Sequence, residues 1–396
     1  GFLDMNVTLD DAIKLPLMTR SWKVKRLLGK VILQLLADKL RGRDYTTAGA
    51  ALQGRLLKAG LDAGVELRTD SPVSELLRDG DKVTGVVAAG RRIGARLGVL
   101  VNAGGFAQNQ TMRDEWQPGT RAAWSNTAEG DTGEMIVEME RLGATLGQMD
   151  QMVGYQSTLA PGWEKDYVFP SGQTLTGKPG AILVDQSGVR YMNEGGSYEL
   201  YCQTMLERHR TVAAVPSWAV FDSRYAGLYQ VANQWVRKRA EAWREAGYLK
   251  QGDTIEELAE RMGVPANALK GTVERWNRFV DGGEDKDFHR GAREYDKWLG
   301  DPFHRPNPAL GRIDRAPFYA VPIVPGDVST FGGVVTDALG RVTAADGSPI
   351  PGLYATGTST ASVMGGVYPG AGASIGPAMA FAYIAAKHAA GLDNQL

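Results

Sequence analysis

The chain has 396 residues, 43% hydrophobic and 22% charged, which excludes a disordered or fibrous protein and allows roughly two to three domains. Lys and Arg total 44 against 45 Asp and Glu, so the net charge of -1 gives no reason to expect nucleic acid as a partner. A single cysteine, Cys202, excludes an internal disulfide framework and suits a reducing compartment such as the cytoplasm. The four histidines lack metal-site spacing, so no metal is expected.

Glycine is in excess, with 50 residues, about twice the usual share of about 7%, so the fold needs many tight turns and close backbone approaches. No run of 18 apolar residues occurs that could span a membrane. The first element, from Trp22 to about Leu40, reads as a basic amphipathic helix. Its apolar face could pack on the core, the commoner use of such a stripe, or lie on an anionic membrane surface as a peripheral contact. Residues 50–60 have helical spacing and end at glycine. Gly64–Thr69 alternates as a short strand. Val73–Leu77, the turn Asp79-Gly80-Asp81 and Val83–Val87 form a hairpin by turn chemistry and alternation. Gly98–Val101 is almost wholly apolar, as a parallel strand buried on both faces should be, and it runs into Asn102-Ala103-Gly104-Gly105-Phe106.

The middle of the chain carries most of the tryptophans and longer helical segments. Asp253-Thr254-Ile255-Glu256-Glu257 starts one helix with acids in its first turn, and another begins near Pro265 with an apolar stripe at Leu269, Val273, Trp276 and Val280. After Pro322 the strand-rich, glycine-rich texture returns and ends in an apolar helix over 374–390. This texture predicts an α/β domain made of residues 1–155 and 323–396, interrupted by an α+β domain over 156–322.

The densest signal is Gly352-Leu353-Tyr354-Ala355-Thr356-Gly357, followed by the glycine loop Gly365–Gly376. A buried strand ending in small residues lets a flat or anionic ligand approach its end, and the loop delivers free N–H groups to a helix start. The spacing of Gly370, Gly372 and Gly376 is not that of a nucleotide fingerprint, and taken alone the loop has a plainer alternative as a tight start to a helix.

Residues 352–386, including the run from Ser362 to Gly372, resemble the C-terminal signature of the 3-ketosteroid dehydrogenases, within the fumarate reductase/succinate dehydrogenase flavoprotein superfamily. Gly64–Val87, Val101–Phe106, Gly130–Gly133, Arg190–Glu194 and Asp285–Phe288 are similar to the wider superfamily, and Pro322–Gly333 to the steroid branch. The resemblance implies an FAD-binding, Rossmann-like domain with the active site between it and the inserted domain, over the flavin. It implies flavin contacts at Val73, Ala103, Gly104, Gly105, Asp131, Thr356, Gly357, Ser374 and Ile375. Family members begin with a strand and GxGxxG that seat the FAD pyrophosphate. No such motif occurs here, so the chain is expected to be a C-terminal portion that binds FAD weakly or not at all by itself.

By the same resemblance, Tyr368 and the backbone N–H of Gly372 would hydrogen-bond a steroid C3 carbonyl, and Tyr198 would take the C2 proton. Serine at 197 replaces the family's proline, and Tyr201 is the rival to Tyr198. A second family tyrosine that assists the base belongs to the part not present. Val328-Ser329-Thr330-Phe331 stands where a fumarate reductase has a dicarboxylate-binding histidine, so an apolar ketone is the expected substrate, with Phe331 and Met364 lining its site. The implied reaction is 1,2-desaturation of a 3-ketosteroid, with an electron acceptor as further partner. The alternatives are a sibling flavoenzyme working at another ring position or reducing an enone, and a non-catalytic remnant without FAD.

Overall fold

The computed structural model describes residues 7–8, 11, 14–43, 46–163 and 169–392; the chain's opening residues lie outside them. In chain order the strands are β1 (Val73–Asp79), β2 (Lys82–Ala88), β3 (Arg91–Gly94), β4 (Val99–Val101), β5 (Leu146–Gly147), β6 (Met152–Ser157) and β7 (Ala181–Val184). They continue with β8 (Ser217–Asp222), β9 (Lys250–Gly252), β10 (Phe318–Thr330), β11 (Gly333–Val334), β12 (Arg341–Thr343) and β13 (Pro349–Ala355).

One half of the molecule holds the antiparallel meander β1-β2-β3 and the sheet β12-β13-β4, in which β13 and β4 run parallel with Ala355 opposite Val101. The other half is built on the sheet β6-β10-β8-β7, with β9 also paired to β10. This second sheet is covered on both faces. Leu183, Phe221 and Val321 enter one core with Tyr201, Met205 and Trp243, while their neighbours Ile182, Val220 and Ala320 enter another with Leu258, Leu269 and Trp276. Period-2 alternation therefore sorts side chains between two apolar layers, and the strands read as unbroken hydrophobic runs.

Local chemistry accounts for the helices. Thr254 caps Ile255–Met262 by accepting from the Glu257 N–H, with Glu256 and Glu257 in the first turn, and Pro265 stands at the N-cap of Ala266–Gly282. Glu134–Arg141 follows Gly133, whose φ of 79° places it in the left-handed region.

Two expectations fail. Gly64–Thr69 is not a strand: Gly64 (φ 80°) terminates the helix Ala48–Asp62, with Val65 N–H donating back to Gly60 C=O. The glycine is consumed by a helix C-cap, and Val65 and Leu67 that follow are exposed. Nor is β4 buried on both faces. It pairs with β13 on one side only, and Leu100 is 41% exposed.

Leu17, at the end of the short 3-10 turn Leu15–Leu17, packs into the core around Phe221 and Ile323. Arg20 forms an ion pair with Asp301 at 2.7 Å. Leu17 and Arg20, just before the Trp22–Leu40 helix, thus tie that segment to the half of the molecule built on β10. No helix among the described residues is long and apolar enough to cross a membrane.

Candidate active site

The parallel strands β4 and β13 end side by side, and both run into small residues. Ser359, fully buried, stitches the two ends together. Its hydroxyl accepts from the Ala103 N–H at 2.9 Å and donates to the Gly104 carbonyl at 2.9 Å. Asp131 accepts the Gly105 N–H at 2.9 Å, and burial raises its carboxyl above the ordinary aspartate value despite that bond. Thr356 donates from its hydroxyl to Ala378 C=O at 2.9 Å, anchoring the end of β13 to the helix Ile375–Ala389. At Gly357 φ is 66°, and an added Cβ would stand 2.4 Å from Asn102 Oδ1. At Gly105 it would stand 2.2 Å from Thr330 Oγ1. Small residues are needed here for close approach as well as for turning.

A cavity of about 520 Å³ opens over these strand ends. Its walls include Gln148, Thr330, Phe331, Thr356, Gly357, Met364, Tyr368 and Ser374. Two buried polar atoms of wall residues, Thr330 Oγ1 and Gln148 Oε1, have no hydrogen-bond partner among the described residues. An unpaired buried polar atom is costly, and a bound group with hydrogen-bonding edges would satisfy both. The Ile375–Ala389 helix begins at the cavity, with Ser374 at its N-cap making no side-chain cap hydrogen bond. A flat heteroaromatic ring with polar edges, as in a flavin, fits this donor and acceptor set. Thr330, Gln148, Thr356, Gly357 and Ser374 are the residues that would hold it.

Phe331 is 4% exposed and Met364 41% exposed, and both face the cavity. Tyr368 lines it too, and Tyr198 stands against Tyr368 with ring centroids 5.5 Å apart. Tyr155 of β6 approaches Tyr198 edge-on at 6.1 Å. Gly370 (φ 144°) and Gly372 (φ 97°) turn the chain between Tyr368 and the helix.

Tyr198 opens the helix Tyr198–His209, and the approach to it is rigid. Arg190 bridges Glu194 at 2.8 Å and Asp285 at 2.9 Å, all three buried, and Arg290 reaches Glu194 at 3.3 Å. Asn193 accepts the Gly195 N–H at 3.0 Å, and Gln173 donates to Gly196 C=O and to the Tyr295 hydroxyl. From the same helix Gln203 donates to Gly366 C=O at 3.3 Å, linking the two tyrosine-bearing segments.

Other residues singled out from the sequence sit elsewhere. Val73 starts β1 opposite Ala88, is 37% exposed and does not face the cavity. Ile375 is 50% exposed on the helix start. Tyr201 is buried in the core, 3.3 Å from the Thr176 hydroxyl. Sequence reasoning missed Ser359 at the strand ends, Thr330 and Gln148 at the cavity, and the buried pair that joins Arg113 of the helix Gln110–Trp116 to Asp327 of β10. Ser359 follows the conspicuous Thr356-Gly357 by two positions, which is the one hint the sequence offers.

Two glycine-ended parallel strands with a cavity at their tips, and a row of rings running from Tyr155 through Tyr198 to the wall residue Tyr368, are the arrangement of a flavin-binding protein. Residues 27–375 match the FAD binding domain family, and the chain belongs to that family. It is 38% identical over 378 residues to a 3-oxosteroid 1-dehydrogenase of Mycobacterium tuberculosis, covering 91% of this chain and 66% of the relative. It is 36% identical over 386 residues to the 4-oxocyclohex-2-ene-1-carboxylate 5-dehydrogenase of Sinomonas cyclohexanicum, covering 93% and 64%. Among solved structures, the 3-ketosteroid delta1-dehydrogenase of Sterolibacterium denitrificans, in complex with 1,4-androstadiene-3,17-dione, superposes with a TM-score of 0.87 at 34% identity. The match covers 99% of this chain and 73% of that one. The chain thus spans slightly under two thirds of the length of these curated relatives.

Proposed function

We propose that this site serves flavin-dependent dehydrogenation of a carbon–carbon bond beside a ring ketone, with 3-ketosteroids as substrate class and the 1,2-bond as the position. The observation that carries the reading is the Tyr198–Tyr368 pair, 5.5 Å apart, at a cavity that also holds the free hydroxyl of Thr330. Tyr368 and the Gly372 N–H donate to the ketone oxygen, where negative charge develops as the neighbouring C–H is broken. Tyr198 receives the proton from the carbon next to that ketone. FAD, when bound, would supply the acceptor for the hydride, hydrogen with its electron pair, that leaves the second carbon, and an external electron acceptor must then take the electron pair onward.

Substrate class follows from the walls. Among the described residues that line the cavity there is no Lys, Arg or His, and Asp337 is the one acid. A dicarboxylate would be buried there without a positive partner, whereas an apolar ring system gains about 0.8 kcal/mol for each buried methylene. The ring-ketone carboxylate named for the Sinomonas relative would meet the same lack of a cation, which favours the steroid.

The test is a side-by-side assay of the FAD-loaded protein with androst-4-ene-3,17-dione and an artificial electron acceptor, with succinate, and with fumarate plus a reduced donor. Turnover of the steroid alone is expected. Tyr368→Phe should lower it about a hundredfold, the usual scale for one lost oxyanion donor, while flavin content stays unchanged. Turnover of a dicarboxylate without the steroid overturns the reading.

A further inference from the structure

The helix Trp22–Leu40 has two apolar stripes. One holds Val24 and Val31 in the body of the protein, 3% and 6% exposed and seven residues apart, with Asp38 buried a further seven on. The other points away from it. Trp22 is 75% exposed, Leu33 69%, Leu36 55% and Leu40 89%. Spacings of 11, 3 and 4 residues put these four on one side of a 3.6-residue helix. Lys23, Lys25, Arg26, Lys30 and Lys39 flank this outer stripe. All are exposed, and none has a carboxylate partner among the described residues. Lys25 lies over the Trp22 ring at 4.3 Å, keeping cation and aromatic together at one end.

The geometry points to an anionic lipid surface as the partner of this face. A helix about 28 Å long, with leucines and a tryptophan outward between rows of cations, matches a leaflet that offers acyl chains beneath negative headgroups. The charge pattern argues against the other occupants. A second copy of the helix would set cations against cations, since its single acid, Asp38, is buried on the opposite side. A covering protein segment would have to supply several carboxylates and a broad apolar surface together. A lipid leaflet supplies both without a matched sequence, and each cation near the surface adds to the attraction.

The experiment is sedimentation of the full chain with vesicles of phosphatidylcholine, with and without phosphatidylglycerol, across a salt series. Binding to the anionic vesicles is expected, falling as salt rises, with little binding to neutral ones. Leu36→Glu/Leu40→Glu should abolish it, and Lys23→Gln/Arg26→Gln should weaken it about tenfold or more. Every substituted residue is exposed, and circular dichroism of each variant checks that the fold is kept. Equal binding to both vesicle types, no binding to either, or unchanged binding by the folded variants overturns the proposal. So does a dimer in light scattering that the Leu36→Glu/Leu40→Glu variant dissolves, which would make the face a contact between copies.

Discussion

The rings of Tyr198 and Tyr368 lie 5.5 Å apart, their planes tilted by 48°. Burial, and then the hydrogen bond and charge of Tyr368, with Tyr295 and Tyr155 adding to them, push the Tyr198 hydroxyl well above the ordinary tyrosine range. Tyr198 is therefore protonated at neutral pH. If its oxygen takes a proton from carbon, as proposed, its own proton must leave, and the ring packed against it that also carries a hydroxyl is that of Tyr368.

A pH profile follows from this arrangement. Rapid-mixing measurement of flavin reduction in the loaded protein should show a rate still rising at about pH 10, the ordinary tyrosine pKa, with no plateau below it. Tyr198→Phe should remove that rise and slow reduction while leaving steroid affinity within a few-fold. Tyr201→Phe is the control. It loses a buried hydrogen bond to Thr176 and about 1 kcal/mol of stability, but keeps the parent rate. Equal loss of affinity and rate in Tyr198→Phe would mark that residue as packing.

Thr330 allows a test of cofactor binding separate from turnover. Its hydroxyl is buried and unpartnered, so Thr330→Val should leave the melting temperature unchanged or raise it slightly. Equilibrium dialysis should find FAD binding weakened several-fold. A variant with full affinity for FAD would remove Thr330 from the flavin site.

Ser359→Ala should act in the opposite sense on stability. The Ala103 N–H then loses its acceptor, and an unsatisfied buried donor costs about 1–3 kcal/mol. Chemical denaturation should show that loss. A variant within about 0.5 kcal/mol of the parent would mean that water reaches the strand ends.

Acid should unlock the support beneath Tyr198. Burial by itself would raise the Asp285 carboxyl, but the hydrogen bonds and charge of Arg190 outweigh it and hold its pKa below the ordinary value. The stability this provides is complete above the unfolded pKa of about 3.9 and disappears as pH falls through the lower folded value. Asp285→Asn should therefore be less stable than the parent at pH 7 and lose less on acidification, as read from denaturation midpoints over a pH series. Parallel curves for the two proteins would contradict this.

Local chemistry was legible before any coordinates. The turn at Gly80 joins β1 to β2, Thr254 and Pro265 sit at helix starts, and the strand leading to Thr356-Gly357 ends where small residues begin. What stayed hidden is long-range. Ser359 and Ala103 are 256 positions apart, and a hydrogen bond over that separation leaves no periodicity to read. The strand expected at Gly64–Thr69 failed because alternation does not reveal whether a partner strand exists, and Gly64 was already engaged in ending a helix. The exposed side of β4 escaped for the same reason: apolar composition marks a surface that can be buried, and says nothing of what stands beside it.

The thirteen residues of β10 pair with β8 over Phe318–Ile323 and with β6 over Val324–Thr330, and the strand's end then forms the cavity wall. One continuous backbone thus works as a beam clamped along its length. A swing of the β7-β8 portion of that sheet toward or away from the cavity would carry Thr330 and Phe331 with it. If access to the site is gated, the hinge has to lie off this strand, and the loop carrying Met364 and Tyr368 is the wall left to move against a fixed frame.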